Sequence, residues 1–255
     1  MYLDLCLLSC DLNPTYYDFF PLIQKYWKSV VGIDCLLVLI ATEIPFSLDS
    51  YKDSIILFPP AAGIPTAFQA QCIRLLYPCL LPTYKGIIIS DMDIVPLNKD
   101  FFCNTITGLY QNTFCIYRDV ISEYQQYPIC YCAASSETWK DIFHVNSKED
   151  IYRTLRQWFS KNDYAISSAS SEMWAQDQLQ LFKYILDYSS SGDGSRIAKY
   201  SDEQTSFTRL DRADIYQIIH NVDEMKKQIK EGKFCDFHLP RPLQTYRNLL
   251  EALLL

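Results

Sequence analysis

The chain has 255 residues, 49% of them hydrophobic and 15% aromatic, enough for one large α/β domain or two small ones around a sizeable core. Acidic residues outnumber basic ones by 30 to 23, the formal charge is −7, and no basic stripe runs along the sequence. Nucleic-acid binding is therefore not expected, because its footprint is clustered Lys and Arg. Ten cysteines are spread without a CxxC pair, and no glycosylation sequon exists, since Asn13-Pro14-Thr15 carries the excluded proline. Residues 1–10 lack a basic start and include Asp4, so they read neither as a signal peptide nor as a membrane span. The expected compartment is the reducing cytoplasm.

Residues 2–9 form an apolar run that reads as a buried central strand. It feeds Cys10-Asp11-Leu12-Asn13-Pro14-Thr15, a turn-rich loop at the strand's carboxyl end. Asn13 or Thr15 can cap a helix to about residue 29, with Tyr16, Phe19, Phe20, Ile23, Tyr26 and Trp27 at helical spacing. Residues 35–41 and 54–58 read as two further strands, the second closed by Pro59-Pro60. Gly63-Ile64-Pro65-Thr66 opens a helix with proline early, where its missing N–H costs nothing. Phe68, Cys72, Leu75, Leu76 and Cys79 make its apolar face, and Gln71 and Arg74 share the other. Arg74 reads either as a solvated arginine or as a cation beside phosphates or beside the aspartates. Residues 87–90 then form a short, mostly β-branched strand that ends in Asp91-Met92-Asp93.

Past residue 98 the pattern predicts strands at 108–110, 113–117 and 129–134, and helices at 137–143 and 148–159. A further helix starts at Ser171 and carries Asp177 and Gln178. There follow a Ser- and Gly-rich loop at 189–194, extended pieces at 196–200 and 205–209, and a helix at 222–231 stopped by Gly232. A turn segment at 234–242 and an amphipathic helix from 242 to 255 complete the chain. Cys130 and Cys132 alternate along one strand, so they face opposite sides and read as core thiols, not zinc ligands. Trp27, Trp139 and Trp158 read as core, Trp174 as the lining of an acceptor groove, and His144 and His220 as surface or helix-end residues. Arg209-Leu210-Asp211-Arg212 fits a salt-bridged turn and an acceptor site equally well. No linker separates two cores, so a single domain is expected, in halves of about 1–125 and 126–255.

Asp91 and Asp93 carry the chemistry. Two aspartates at i, i+2 on the end of a buried strand repel one another, and burying either alone is costly. A divalent cation removes both problems, and hard oxygen ligands suit Mg²⁺ or Mn²⁺. Carboxyl ends of parallel strands are also where open α/β sheets take ligands. A strand followed by a polar turn is the plainer reading of the same residues.

Four stretches, in order, resemble the GT-A class of glycosyltransferases, and within it the nucleotide-diphospho-sugar transferases of glycosyltransferase family 8. Asp11-Leu12-Asn13-Pro14-Thr15-Tyr16 resembles the first-strand loop that holds the nucleotide base and ribose. Gln71-Cys72-Ile73-Arg74 with the strand up to Val95 resembles the arginine-bearing helix and the Asp-x-Asp strand. Trp174-Ala175-Gln176-Asp177-Gln178-Leu179 resembles the helix that reaches the sugar, and Phe237-His238-Leu239-Pro240-Arg241-Pro242 the late histidine loop. The resemblance implies a GT-A (Rossmann-like) α/β fold, a mixed but mainly parallel sheet flanked by helices. It implies a UDP-sugar donor, a glycan acceptor, and Mn²⁺ or Mg²⁺ held by Asp91, Asp93 and His238. Asp11, Asn13, Tyr16, Arg74, Asp91 and Arg241 would bind the donor, and Asp177 and Gln178 would act on the sugar, with retention of configuration. The chain departs from the pattern at Arg241-Pro242, where Lys-Pro is usual, and at Ala133-Ala134, where Asn-Ala-Gly is common. These departures leave the sugar and the stereochemistry open.

Two other readings use the same residues. Asp91-x-Asp93-x-Val95 also fits the loop of haloacid-dehalogenase phosphatases, with Asp91 as nucleophile and Gly192-Asp193-Gly194 as the late acidic motif. Against it, that nucleophile strand usually opens the fold, whereas here two strand–helix units precede it. A non-catalytic nucleotide-sugar-binding protein would have kept the fold and lost turnover, although both aspartates, Arg74 and the Asp177-Gln178 pair are present.

Overall fold

A strand whose residues are apolar at nearly every position must be covered on both faces, which a parallel sheet between helices achieves. The computed structural model of the chain, which describes residues 1–160, 175–193 and 196–254, has this arrangement. Strand β1 (Leu5–Asp11) is followed by two short helices, α1 (Pro14–Tyr17) and α2 (Phe20–Tyr26), then by β2 (Asp34–Ile40), β3 (Ile55–Phe58), α3 (Thr66–Leu76) and β4 (Ile87–Ile89). The second half runs β5 (Ile94–Pro96), α4 (Lys99–Asn104), β6 (Phe114–Ile116), β7 (Cys132–Ala134), α5 (Ser136–Phe143) and α6 (Lys148–Ser160). It ends with α7 (Gln176–Tyr188), β8 (Ile197–Lys199), α8 (Asp202–Thr205), β9 (Arg209–Asp211), α9 (Ile215–His220), α10 (Val222–Lys230), β10 (Asp236–His238) and α11 (Leu243–Leu254).

Seven strands form one sheet in the order β3-β2-β1-β4-β7-β6-β8. Four of its pairings are parallel, and the two made by β7 are antiparallel. The sheet divides the interior into two cores. Cys6, Leu8, Ile88, Cys115 and Ala133 face one with Trp27, and Leu5, Leu7, Ile87, Ile89, Phe114 and Cys132 face the other with Trp139 and Trp158. Cys130 and Cys132 fall in opposite cores, as their spacing predicts. All ten cysteines are unpaired, and all but Cys103 are buried. Among the described residues no helix is long and apolar enough to cross a membrane. Gly86, just before β4, is required by packing: a Cβ there would lie 1.7 Å from the Tyr2 carbonyl oxygen.

A second sheet of three strands, β5-β10-β9, was not legible beforehand. β10 runs antiparallel to β5 and parallel to β9, pairing His238 with Ile94 and with Asp211. Residues 234–242, expected as a turn, therefore contain its central strand. The extended piece expected at 205–209 is instead shifted to β9, because Ser201 and Gln204 form a capping box that starts α8 there. The helix expected to about residue 29 is broken at Asp18–Phe19, and Pro21 sits in the first turn of α2, where no N–H is needed. A π-helical turn at Trp27–Val31 follows and Gly32, at φ +88°, ends it. Residues 108–110 are a turn, 99–104 a helix, and α9 was not expected. The expected start at Ser171, and Trp174 with it, lie outside the described residues, as does Gly194. Gly232 does stop α10, at φ +73°, and His144 ends α5.

Candidate active site

The chain leaves β1 for β2 and β3 on one side, then returns through α3 to place β4 on the other. In open α/β sheets such a reversal marks the crevice, beyond the carboxyl ends of strands such as β1 and β4, where ligands bind. Asp11 ends β1 and Asp91 follows β4, so the first two landmarks meet here.

At the β1 end, Asp11 accepts hydrogen bonds from the Asn13 backbone N–H (3.1 Å) and from Thr66 Oγ1 at the start of α3 (2.8 Å). Asn13 caps α1 by accepting from the Thr15 N–H at 3.0 Å. Tyr16, on the first turn of α1, receives a hydrogen bond from Arg241, whose guanidinium lies over its ring at 5.0 Å.

Two charge clusters line the rest of the crevice. In the first, Arg74 of α3 donates to Asp91 on one side and to Asp177 Oδ2 at 2.6 Å on the other. Gln71, one turn earlier on α3, adds a bond to Asp177 Oδ1 at 3.2 Å. Asp177 starts α7 and is 1% exposed. Burial pushes its carboxyl above the usual range, against the opposing pull of Arg74. Burial would likewise weaken the charge of Arg74, but Asp91 and Asp177 more than offset it and hold the guanidinium charged. The sequence pairing of Gln71 and Arg74 on one helix face is realised as a joint grip on Asp177.

The second cluster inverts this arrangement. Asp93, 5% exposed, sits at the entry to β5 and is met by Arg212 Nη1 (2.7 Å), Arg241 Nε (3.4 Å) and His238 Nε2 (3.5 Å). Burial raises the Asp93 carboxyl, yet His238, Arg212 and Arg241 together hold it below the ordinary range. The second sheet makes this meeting possible: β10 delivers His238 beside β5, and the Leu239 N–H bonds the Asp93 carbonyl at 2.7 Å. On the far side of the imidazole, Asp211 Oδ2 lies 3.2 Å from His238 Nδ1. A carboxylate on one ring nitrogen leaves the other directed at Asp93.

The sequence missed two members of the second cluster, Asp211 and Arg212. Their only signal was the charge-dense run 209–212, which the structure splits. Arg209 makes a two-pronged pair with buried Asp236 (2.7 and 2.6 Å), itself bonded by Tyr131 (2.6 Å). That triad stabilises the second sheet, while Asp211 and Arg212 turn into the crevice. Gln178 follows Asp177 on α7 and is half-buried, and its backbone N–H bonds Asp177 Oδ1 at 2.9 Å.

The structure places His238 beside Asp93 and turns the Asp91 carboxylate toward Arg74. Among the described residues no group of three or more His, Cys, Asp or Glu side chains converges so as to hold a metal ion unaided. One carboxylate and one imidazole still fit a cation that takes its other ligands from a bound diphosphate, and the nitrogen donor favours Mn²⁺ over Mg²⁺.

The sheet order defines a mixed, mainly parallel α/β fold flanked by helices, and solved glycosyltransferase structures share it. No protein-family model and no curated protein matches the sequence. Solved structures do. The chain superposes on the glycosyltransferase GlyE of Streptococcus pneumoniae TIGR4 with a TM-score of 0.50 at 12% identity, covering 100% of this chain and 61% of that one. It superposes on the galactosyltransferase LgtC, in complex with donor and acceptor sugar analogs, with a TM-score of 0.50 at 11% identity, covering 98% of this chain and 96% of that one. An active-site mutant of LgtC gives a TM-score of 0.52 at 12% identity, with the same coverage. The chain thus spans about three fifths of GlyE and nearly all of LgtC. Likeness at this identity speaks for the fold.

Proposed function

We propose that this chain is a glycosyltransferase that moves a sugar from a nucleoside-diphosphate donor, with UDP-sugar first among them, to a hydroxyl of a glycan acceptor. One observation carries the reading: a carboxylate-rich cluster and a cation-rich cluster stand side by side at the topological switch point. Sugar hydroxyls need acceptors of hydrogen bonds, and a departing diphosphate needs positive charge. Asp91, 31% exposed and held by the Arg74–Asp177 frame, supplies the first need, and Arg241 the second. The fold shared with LgtC and GlyE supports the same chemistry.

In this reading Asp11, Asn13 and Tyr16 at the end of β1 receive the base and ribose. Arg241 reaches the diphosphate from beside Tyr16, and Arg74 orients Asp91 and Asp177. Asp93 and His238 would hold Mn²⁺, or Mg²⁺ less tightly, Asp91 could join them only by turning away from Arg74, and the cation would neutralise charge on the diphosphate. During transfer the bond from the anomeric carbon to the diphosphate oxygen breaks, and a bond to the acceptor oxygen forms. The acceptor's proton leaves to the released diphosphate. Gln178 lies beside Asp177 and is a poor nucleophile, so attack on the same face, with retention and no covalent intermediate, suits it better than a glycosyl-enzyme. Residues of about 126–255 would contribute the acceptor side, and the unpaired thiols fit a cytoplasmic setting.

The deciding experiment is a screen of UDP- and GDP-sugars for hydrolysis and transfer with Mn²⁺, Mg²⁺ or a chelator, with proton NMR of the product's anomeric coupling. Turnover of a UDP-sugar that the chelator abolishes is expected. Preference for GDP-sugars would overturn the choice of donor, and an inverted product the stereochemistry. Phosphate release from simple sugar phosphates would favour the phosphatase reading instead.

A further inference from the structure

Arg212 belongs to none of the four stretches that resemble known glycosyltransferases, yet it makes the shortest contact to the Asp93 carboxylate, 2.7 Å from Oδ2. Its side chain is 29% exposed, so the guanidinium reaches solvent beside Asp93. Its backbone does not share that freedom. The preceding Asp211 is paired in β9, accepts the Ala213 N–H at 2.8 Å and faces His238. The result is a long cationic arm on a fixed base.

Charge balance gives this arm a task. Asp93 contributes one negative charge, whereas Arg212 and Arg241 contribute two positive ones. A dication approaching Asp93 alone meets both guanidiniums and loses much of its attraction. A diphosphate arriving with the dication reverses the balance, because its oxygens accept from arginines in the two-pronged geometry that guanidinium prefers. Resting on the nucleotide-sugar reading above, we infer that Arg212 is a diphosphate-binding residue. It neutralises Asp93 in the free protein and passes to the ligand's diphosphate as a divalent cation replaces it on Asp93. Metal and nucleoside diphosphate then bind cooperatively, and neither does so well alone.

Calorimetry on the full chain with UDP, uridine and Mn²⁺, singly and in combination, tests this. For the wild-type protein, UDP should tighten Mn²⁺ binding about tenfold or more, the scale of one charge-assisted contact. Arg212→Gln should bind UDP with Mn²⁺ about tenfold more weakly, leave uridine unchanged, and bind Mn²⁺ without UDP more tightly than wild type. Arg212→Lys, which keeps the charge, should recover part of the loss. The inference is overturned if Arg212→Gln binds UDP as wild type does, if uridine and UDP weaken equally, or if the lysine variant recovers nothing. Wild-type protein that binds UDP but never Mn²⁺ would sink the metal part of the function and the hand-over, while the UDP-against-uridine contrast still decides whether Arg212 meets the diphosphate. Wild-type protein that binds neither would refute both readings.

Discussion

The two charge clusters are built from the same residue types in opposite proportion. Around Arg74, one arginine serves two aspartates, and around Asp93, one aspartate serves two arginines and a histidine. The arginine at the centre of the first is buried, its side chain 13% exposed beside Asp177 at 1%, with Asp91 at 31% on its outer side, whereas in the second the central Asp93 is buried and the arginines, Arg212 and Arg241, reach the surface at 29% and 26%. Depth decides what each can do. A buried arginine between two carboxylates cannot leave without exposing bare charge to apolar surroundings, so the first cluster is a fixed frame. Arginines at the surface lose less when they exchange one anion for another, so the second suits a ligand that arrives and departs.

The contrast can be broken by mutation, and the largest effect belongs to the frame. Arg74→Ala leaves Asp177 buried without its partner and should destabilise the fold by about 3–5 kcal/mol, read by denaturant unfolding. Arg212→Ala should cost under about 1 kcal/mol in the same measurement. Similar losses for both would erase the distinction. Asp93→Asn removes the charge on which the second cluster converges. It should lower turnover by about 10²–10³-fold while the far-ultraviolet circular dichroism stays unchanged, and full activity with unaltered metal dependence would remove Asp93 from the chemistry.

A smaller effect sharpens the picture of the second cluster. His238→Ala should weaken Mn²⁺ binding, measured in the presence of UDP, about 10–100-fold, and weaken Mg²⁺ binding less. Equal losses for the two metals would show that the imidazole orders the loop without touching a cation. The smallest effect is on pH. Asp93 is held below its ordinary range by His238, Arg212 and Arg241 despite burial, and Asp211 by the Ala213 N–H and His238 despite its own burial. Depressed carboxyls stabilise the fold above their unfolded value and lose that contribution as pH falls through the folded one. Stability should therefore decline below about pH 4, and Asp93→Asn should make the decline shallower. An identical acid limb in wild type and variant would show that Asp93 contributes nothing to it.

Much of the first half follows from local pattern. Apolar runs at residues 2–9, 35–41 and 54–58 had to be buried strands, and the helical pattern between β3 and β4 put Arg74 on the helix that precedes the Asp91 strand, whereas the order of the strands in the sheet came from the structure. Asn13, Gly32 and Gly232 mark their turns by chemistry that acts within a few residues. The second cluster is another matter. Arg212 and Asp93 lie 119 residues apart, joined through a three-stranded sheet whose members are three residues each. Strands so short carry no periodicity to recognise, and β10 hides in a segment framed by prolines that reads as a turn. Nothing in the charge-dense run 209–212 says which arginine goes to Asp236 and which to Asp93, because both choices satisfy the same local chemistry. The sequence by itself determined the buried strands of the first half and the carboxylates at their ends. Only tertiary structure decided that Arg74 would sit between two aspartates and Asp93 between two arginines, since pairing between distant charges is set by which backbones the sheets bring side by side.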